Sequence, residues 1–498
     1  MQDFIEALEN KTNVARTEKG AEARATSGSD VVDLFAKGGA LRTRPYSDVR
    51  AIFSRAWSED KLLALKCAFF LRDIRGGQGE RRTFRMILHY LAKKHLPVVK
   101  KNIHLVPEYG RWDDLYVMFY VSDKAWKVAT EFMQDQLERD LEAMQKGKSI
   151  SLLAKWLKSE QASSDTSTRL ARETAEFFGM TYSRYRKTLS KLREHLKVTE
   201  RLMCQNRWEE IDYERVPSKA SFIYNEAFKR HDPKGYEEFL DQVESGEKEI
   251  KAQTLYPYEI VRKALMGSHL LSQTEERTLD AQWDALPTYG DAEAGSLAVV
   301  DTSGSMYSND MLPLAMAVSL GIYFGEHIGK GPFADKFITF SREPRLVKVK
   351  GDDITDRAVN VSKAEWGMNT DIEAVFALIL QVARENDLNN DEIPQKLYII
   401  SDMEFDRCVH GAGRGRTLME KIAKRYEEVG YDLPEIVFWR VDARTDQVPV
   451  MKDERGFQMV SGASPSLFRW VVDSDVTTAE ELVRKVLSDE RYAPISLP

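Results

Sequence analysis

The sequence predicts an α-helical repeat module followed by a doubly wound α/β domain with a parallel sheet. Between residues 59 and 290, apolar residues recur at spacings of three and four, which is typical of amphipathic helices. From residue 296 onward, short apolar strands alternate with such helices, the pattern of a parallel sheet covered on both faces. The length of 498 residues is enough for two to four domains.

The composition is that of a chain that can pack a core. Hydrophobic residues make up 43% and charged residues 30%, so global disorder is not expected. No apolar run approaches the ~18–20 residues of a membrane span, and the N-terminus lacks the apolar stretch of a signal peptide. The cysteines, Cys67, Cys204 and Cys408, lie far apart without a CxxC pair. We therefore expect a cytoplasmic protein with no membrane partner, no disulfide framework and no cysteine zinc site.

Three segments follow one another along the chain. Residues 1–30 are polar and rich in small side chains, which predicts a flexible N-terminal arm. Residues 31–290 form the helical module, in which Gly77 and Gly110 interrupt the helical pattern. These breaks lie 33 residues apart and suggest stacked helix pairs, as in HEAT-like repeats; whether the repeats close into a ring stays open. Residues 291–498 form the α/β domain.

The α/β domain is expected to begin with a buried strand at residues 296–301 and a helix at 309–328. Further strands are expected at 337–340, 345–349, 396–401 and 435–441, and further helices at 372–384, 418–429 and 478–487. The carboxyl ends of parallel strands meet at one edge of a sheet, where open α/β sheets bind their ligands. Side chains that follow these strands are therefore the first candidates for a site.

Five oxygen-bearing side chains are expected to meet at this edge, which we call the rim. Asp301, Ser303 and Ser305 follow the first strand, Thr370 precedes a helix, and Asp402 ends a later strand. Two carboxylates and three hydroxyls form an all-oxygen set that suits a divalent cation keeping several waters, Mg²⁺ first, or Mn²⁺. An incomplete protein shell leaves positions open for an outside ligand.

The same residues admit other interpretations. Asp301 and the serines can be a capping residue and polar turns without a metal. An aspartic protease would need a second Asp-Thr/Ser-Gly loop beside Asp301, and the sequence has no second copy. A serine nucleophile at Ser303 or Ser305 would need a GxSxG elbow and a partner histidine, and neither is recognisable. No catalytic residue is predicted, and an enzyme is not expected.

Charge is unevenly distributed along the chain. The net charge of -7 divides into -11 over residues 291–498 and +4 over the remainder. Basic residues collect on a helix expected at 185–201, opposite a stripe of Leu189, Leu192 and Leu196, and in a glycine-rich turn before another helix. Both features suit RNA phosphates, and both can equally be a solvated helix face and a tight turn. The candidate RNA-binding residues are Arg75, Arg81, Arg82, Arg184, Arg186, Lys187, Lys191 and Arg193.

Several phrases of the helical segment are unusual together, namely RDIRGGQGER at 72–81, PEYGRWDDL at 107–115, LLAKW at 152–156, VPSKA at 216–220 and LYPYE at 255–259. The rim pattern of DxSxS, a distant Thr and an Asp after a strand resembles the metal-ion-dependent adhesion site of von Willebrand A domains, with all five positions matched. Together these features resemble the family that joins a TROVE-like helical module to a von Willebrand A domain. That family includes the Ro RNA-binding autoantigen and a large branch of unknown function, to which this chain is most similar.

The resemblance implies a ring of helical repeats that binds RNA ends in its hole and structured RNA on its surface. It also implies a divalent metal in a von Willebrand A-like domain. We therefore expect a non-catalytic RNA-binding protein of the cytoplasm, a ribonucleoprotein component, and nothing in the sequence points to DNA. The alternative is a metal-dependent module that captures a carboxylate of a partner protein without RNA.

Overall fold

The computed structural model describes residues 12–267, 270–340, 343–363, 370–407, 417–473 and 475–498. Cys408 lies outside the described residues, while Cys67 is buried and Cys204 exposed, both as free thiols. The chain folds as an α-helical module followed by an α/β domain, which confirms the predicted fold class.

The helical module is a succession of helices in which neighbours along the chain pack on one another. Polar caps begin several of them: the Asp60 carboxylate accepts from the Leu63 N–H at 2.9 Å, and Ser122 caps the longest helix. The helices are α1 (Asp30–Gly38), α2 (Tyr46–Glu59), α3 (Lys61–Arg72), α4 (Arg81–Lys94), α5 (Leu96–Asn102), α6 (Val106–Tyr109), α7 (Asp123–Gln145), α8 (Leu153–Trp156), α9 (Asp165–Phe177), α10 (Tyr182–His195), α11 (Thr199–Cys204), α12 (Ser218–His231), α13 (Pro233–Glu244), α14 (Pro257–Gly267) and α15 (Gln273–Asp284).

The α/β domain contains a six-stranded sheet in the order β5-β4-β3-β6-β7-β8. All neighbouring pairs are parallel except β4 and the edge strand β5, which run antiparallel. The strands are β3 (Ser296–Val300), β4 (Lys336–Thr339), β5 (Leu346–Lys348), β6 (Lys396–Ser401), β7 (Glu435–Arg440) and β8 (Phe457–Ser461). The helices are α16 (Ser308–Tyr323), α17 (Ile354–Lys363), α18 (Ile372–Glu385), α19 (Leu418–Val429), α20 (Phe468–Val471) and α21 (Ala479–Leu487). The sequence patterns missed β8, α17 and the short helix α20.

The strand order creates a switch point beside β3. From β3 the chain crosses to β4 on one side and later returns to β6 on the other, so the two connections leave in opposite directions. Ligands of open α/β sheets bind in the crevice that such a reversal opens at the carboxyl ends of the strands. Val300 and Ile400 pair across β3 and β6, so the residues that follow them meet at this crevice.

The apolar segment Gly304–Ile328 corrects the expectation that no run is long enough for a membrane span. It has the required length and a mean hydropathy of 1.3, and it is the one such segment in the described ranges. However, 78% of its apolar window is buried inside the fold, which is the environment of a core helix. Its helix, α16, lies against β3 and β6, and its first turn, Asn309–Met311, has left-handed backbone angles with φ between 51° and 60°.

The arm differs from the flexible segment that the sequence predicts. Over residues 12–29 it packs against the α/β domain, and its two short strands, β1 (Ala15–Arg16) and β2 (Glu22–Ala23), pair as an antiparallel hairpin. Ala21 is 2% exposed and belongs to the main core. Arg24 forms a bridge with Val448, with both backbone N–H···O distances at 2.9 Å.

Both ends of the helical module contact the α/β domain. At the first end, α1 packs on β8, where the Ser461 hydroxyl donates to the Phe35 carbonyl at 3.0 Å and accepts from the Gly39 N–H at 2.9 Å. A Cβ at Gly39 would lie 2.5 Å from the Ser461 carbonyl oxygen, so this approach requires glycine. At the other end, α14 packs on α16 and α17. The chain therefore closes on itself.

Candidate functional site

Asp301 is held at the switch point by the two strands beneath it. Its N–H donates to the Ile400 carbonyl at 2.9 Å, which extends the pairing of β3 with β6 by one residue. One carboxylate oxygen accepts from the Ser303 N–H at 2.9 Å, and the other accepts from the Ser401 hydroxyl at 2.5 Å. The side chain is fully buried. These bonds leave the carboxylate in a single orientation.

The rim has a deficit of positive charge. Burial, and secondly the neighbouring Asp402 carboxylate, raises the pKa of Asp301 to about 6. The same two causes raise the pKa of Asp442, which lies beyond β7. A cation placed between Asp301 and Asp402 would relieve both effects.

Ser303, Ser305 and Asp402 lie around Asp301. The Ser303 and Ser305 hydroxyl oxygens are 3.0 Å apart. Asp402 accepts from the Glu404 N–H at 3.0 Å, and its second oxygen lies 2.9 Å from Arg444 Nη2. The structure thus brings these residues and Asp301 together.

Thr370 reaches the rim from the N-terminus of α18 and is fully buried. Its N–H donates to Asp406 at 3.1 Å, and its carbonyl accepts from the Asp406 N–H at 3.0 Å. Its hydroxyl oxygen accepts a hydrogen bond from the Lys19 ammonium group of the arm. Glu18, the residue before Lys19 in the arm, forms an ion pair with Arg444, which lies beside Asp402. Thr370 is therefore linked to the other four residues through the arm.

The donor set fits a hard divalent cation that keeps waters. It offers two carboxylates and three hydroxyls, and the buried Thr302 hydroxyl beside Asp301 has no hydrogen-bond partner among the described residues. In that part of the chain no group of three or more His, Cys, Asp or Glu side chains is placed to hold a metal ion, so a metal at the rim would depend on the hydroxyl oxygens and on waters besides the two carboxylates. Asp301, Ser303, Ser305, Thr370 and Asp402 are the residues that would hold Mg²⁺ or Mn²⁺.

A buried polar network fixes the loop that follows Asp402. Glu404 is fully buried and accepts from Gln447 Nε2 at 3.4 Å and from the Thr445 hydroxyl. Arg440 lies 3.9 Å from the same carboxylate, and burial lowers the pKa of its guanidinium against the opposing effect of Glu404. This network holds Asp402 in place without presenting a reactive group to solvent.

The sequence patterns missed three charged residues at the rim, namely Glu18, Lys19 and Arg444. The first two lie in the arm, whose polar composition carries no periodicity, and Arg444 lies in a loop after β7. Lysine and arginine next to a metal site have no recognisable spacing. The pairing of the arm with the α/β domain brings Glu18 and Lys19 to the rim, whereas Arg444 reaches Asp402 from within that domain.

The exposed face of α10 carries four of the predicted RNA-binding residues. The side chains of Arg184, Arg186, Lys187 and Lys191 are exposed and make no ion pair or hydrogen bond with any described residue. On the opposite face, Tyr185, Leu189 and Leu192 are buried. The helix therefore has the basic face that the sequence predicts, but it ends at His195 instead of continuing to residue 201, and Leu196 of the predicted stripe is only half-buried beyond its end.

Arg193 does not belong to this exposed set. Its guanidinium donates to the Ala154 and Leu157 carbonyls at 2.9 and 2.8 Å and to the Ser159 hydroxyl at 3.0 Å. Burial lowers the pKa of the group. Arg193 holds the end of α8 and the loop that follows, so its donors are occupied within the chain.

The glycine-rich turn before α4 connects the helical module to the α/β domain through hydrogen bonds. The Gly76 carbonyl accepts from Arg469 at 2.7 Å, and the Gly77 carbonyl accepts from the Ser466 hydroxyl at 3.1 Å. A Cβ at Gly77 would lie 2.0 Å from the Phe70 carbonyl oxygen, which excludes other residues there. The interpretation as a tight turn therefore accounts for this segment.

The three arginines of this segment differ in their availability. Arg75 is exposed and donates to the Glu108 carbonyl at 3.1 Å. Arg82 donates to the Arg42 and Arg44 carbonyls at 2.8 and 2.5 Å. Arg81 is exposed and makes no hydrogen bond or ion pair with a described residue. Of these arginines, Arg81 is the one free to contact a phosphate.

Comparison with known proteins finds two family models and one relative. A family described as "Domain of unknown function (DUF2828)" matches residues 17–124 and 113–288, which together span more than half of the chain. A second, "Domain of unknown function (DUF7788)", matches residues 295–494. The chain is 29% identical over 523 residues to "Uncharacterized protein L728" of Acanthamoeba polyphaga mimivirus, an alignment that covers 97% of this chain and 89% of the viral protein. The boundary between the two models falls at the switch from helices to sheet.

Proposed function

The chain belongs to the DUF2828 family of unknown function, and we propose that it is a non-catalytic RNA-binding protein with a divalent-metal site in its second domain. The helical module would contact RNA phosphates through the basic face of α10. The rim would hold Mg²⁺ or Mn²⁺. The resemblance of the sequence to the TROVE and von Willebrand A family is the reason for proposing RNA as the ligand class. The von Willebrand A-like site is the precedent for proposing a metal at the rim.

The observation that carries the proposal is the row of four unpaired cations on α10. Arg184, Arg186, Lys187 and Lys191 lie within eight consecutive positions of one helix, all four are exposed, and their side chains meet no carboxylate or carbonyl among the described residues. Unpaired cations along one helix can follow a phosphate backbone and release its counterions. The acidic α/β domain would repel the same phosphates, so contact is expected at the helical module.

The decisive experiment measures RNA affinity against salt concentration, by fluorescence anisotropy with one hairpin RNA and one single-stranded RNA. Replacing Arg184, Arg186, Lys187 and Lys191 with Gln removes four charges from a solvent-exposed face. We expect affinity to fall by at least about tenfold at low salt and the salt slope to become shallower by up to ~3–4, because each lost phosphate contact removes about one unit. Arg193 is left intact because its loss would disturb the packing of α8.

A matched control changes four other exposed cations of the helical module, namely Lys93, Lys94, Lys100 and Lys124. This variant has the same net charge, so an effect of charge alone would appear in both proteins. Unchanged affinity in the folded α10 variant would remove this helix from the RNA site. Failure of the wild type to bind either RNA at low salt would remove the RNA proposal.

The second candidate function is a metal-dependent protein-binding module. One observation favours it: the rim already binds a protein segment, because the arm docks there through backbone and side-chain hydrogen bonds. RNA binding that survives EDTA supports the first candidate. Protein binding that EDTA abolishes and that needs no RNA supports the second.

A further inference from the structure

The arm occupies the edge of the rim through contacts on both sides of its turn. The Thr17 hydroxyl donates to the Phe405 carbonyl at 2.6 Å, and the Glu18 N–H donates to the Glu404 carboxylate at 2.7 Å. Gly20 forms a backbone bridge with Asp406. These bonds involve the loop directly after Asp402. The arm therefore covers the position through which an outside ligand would approach the predicted metal.

Two cations of the chain occupy predicted metal ligands. The Lys19 ammonium donates to the Thr370 hydroxyl and lies 3.9 Å from an Asp406 carboxylate oxygen. Arg444 bridges Asp402, at 2.9 Å, and Glu18, at 3.0 Å. Both side chains are about 29% exposed, so both can move towards solvent.

A divalent cation and the Lys19 ammonium group would repel each other if both contacted Thr370. Mg²⁺ binds oxygen at ~2.0–2.1 Å, so an ammonium group on the same hydroxyl would lie within a few ångströms of a doubly charged ion. Like charges at that distance in a buried site repel strongly. Binding of the metal therefore requires Lys19 to leave Thr370.

We propose that the arm is an internal ligand of the rim, in which Lys19 takes the place of the metal at Thr370 and competes with it. The proposal rests on the metal site of the proposed function. In the metal-free protein, Lys19 contacts Thr370 and Asp406, and Arg444 pairs with Asp402. Metal binding frees Lys19, loosens the turn of the arm at Glu18–Gly20 and opens the rim to a ligand from outside.

Calorimetric titration of Mg²⁺ and Mn²⁺ into the full chain tests the competition. Lys19→Met removes the ammonium group and keeps the length of the side chain, so we expect metal to bind about tenfold more tightly than in the wild type. Lys19→Arg keeps the charge and should bind metal as the wild type does. Lys424→Met changes an exposed lysine of α19 that pairs with Glu428 in the next turn; it is the matched control and should change nothing.

Hydrogen exchange of the arm gives a second readout that does not depend on affinity. In the wild type, Mg²⁺ should lower the protection of the Glu18 and Ala21 amides, which donate to Glu404 and to the Thr17 hydroxyl. In an Asp301→Asn protein the same addition should have no effect. Increased protection on adding Mg²⁺ would mean that the arm supplies a ligand, with Glu18 the nearest carboxylate, and would overturn the proposal.

The outcomes separate this inference from the proposed function. If the wild type binds metal and Lys19→Met binds it with equal or lower affinity, Lys19 is not a competitor and this inference alone is wrong. If neither the wild type nor Lys19→Met binds Mg²⁺ or Mn²⁺, and Lys19→Met unfolds at the same temperature as the wild type, the metal site and this inference are both wrong. Tighter binding by Lys19→Met, with Lys19→Arg unchanged, supports both.

Discussion

Asp301 combines a structural and a chemical role in one side chain. Its two oxygens accept hydrogen bonds from Ser303 and Ser401, and these bonds shape the turn after β3. Burial and the neighbouring Asp402 carboxylate, in contrast, both disfavour the negatively charged form of Asp301. A capping residue needs only the acceptor oxygens, whereas a metal ligand needs the charge. The two interpretations of the rim therefore predict different results for an isosteric change.

We expect Asp301→Asn to lose Mg²⁺ binding by more than about 100-fold while changing the free energy of unfolding by less than ~1 kcal/mol. The amide oxygen can still accept from the Ser303 N–H, the amide NH₂ can donate to the Ser401 hydroxyl oxygen in place of the bond that the carboxylate accepted from it, and the repulsion from Asp402 disappears. Calorimetry and urea denaturation measure the two quantities. Asp391→Asn, at an exposed position, is the control for the loss of one charge. Metal affinity that survives in Asp301→Asn would favour the capping role.

At the scale of single residues, the sequence predicts which side chains follow the central strands better than it predicts the contacts of surface cations. The DxSxS pattern and its partners were identifiable because β3 and β6 carry clear apolar runs that end at Asp301 and Asp402. Arg186 and Arg193 look alike in the sequence, yet the first is exposed and the second is bonded to three groups. The difference depends on where α8 packs, which the local pattern of α10 does not contain.

Among the elements, α12 and α13 form a core of their own. Phe228 is fully buried in a cluster separate from the main core, together with Tyr213 and Tyr236, whose rings lie 5.2 and 5.6 Å from it. The segment between this cluster and α10 is a series of short helices and turns. This part of the helical module should therefore open before the sheet does.

Phe228→Ala should destabilise the α12–α13 unit by about 3–5 kcal/mol, because a large buried ring is replaced by a cavity. Ile223→Ala, on the same helix but 57% exposed, should cost less than ~1 kcal/mol. Hydrogen exchange followed by mass spectrometry would locate the loss. Protection should fall in residues 218–244 and remain in β3 and β6. A uniform loss over the whole chain would show that the two cores unfold together.

Elements were predictable where their periodicity was strong and were missed where it was weak. The strands β3, β6 and β7 and the helices α18 and α19 occur where the sequence predicts them, because buried parallel strands are continuous apolar runs. The missed strand β8 contains the polar Gln458 and Ser461, whose side chains bond within the fold to Val476 and Phe35. The arm hairpin was missed because its strands are only two residues long and its other contacts are with the α/β domain, far away in the sequence.

In the whole molecule, a buried ionic cluster joins the C-terminal residues to the helical module. Asp73, at the end of α3, is fully buried and accepts from Arg491 Nη2 at 2.6 Å and from the Tyr492 hydroxyl at 3.1 Å. Lys101 and Asn102 bond to the last residues of the chain nearby. The closure of the chain thus involves a charge pair in which the carboxylate is fully buried and the Arg491 side chain is 28% exposed.

Arg491→Gln should lower the free energy of unfolding by about 3–5 kcal/mol, because it leaves the Asp73 carboxylate buried without its counter-charge. Arg484→Gln removes an exposed arginine of α21 whose partner, Glu480, lies one turn away, and should cost less than ~0.5 kcal/mol. Urea denaturation compares the two. Equal stability of the two variants would show that the tail contributes little to closure.

The contact between α1 and β8 affects how the chain can fold during its synthesis on the ribosome. Phe35 and Ser461 meet across 426 positions of sequence. At a synthesis rate of ~5–20 residues per second, on the order of 20–85 s pass before the partner of α1 has even been made. During that interval the apolar side of α1, with Leu34 and Phe35, has no sheet to cover it. Nascent chains of this protein should therefore depend on chaperones until translation is nearly complete.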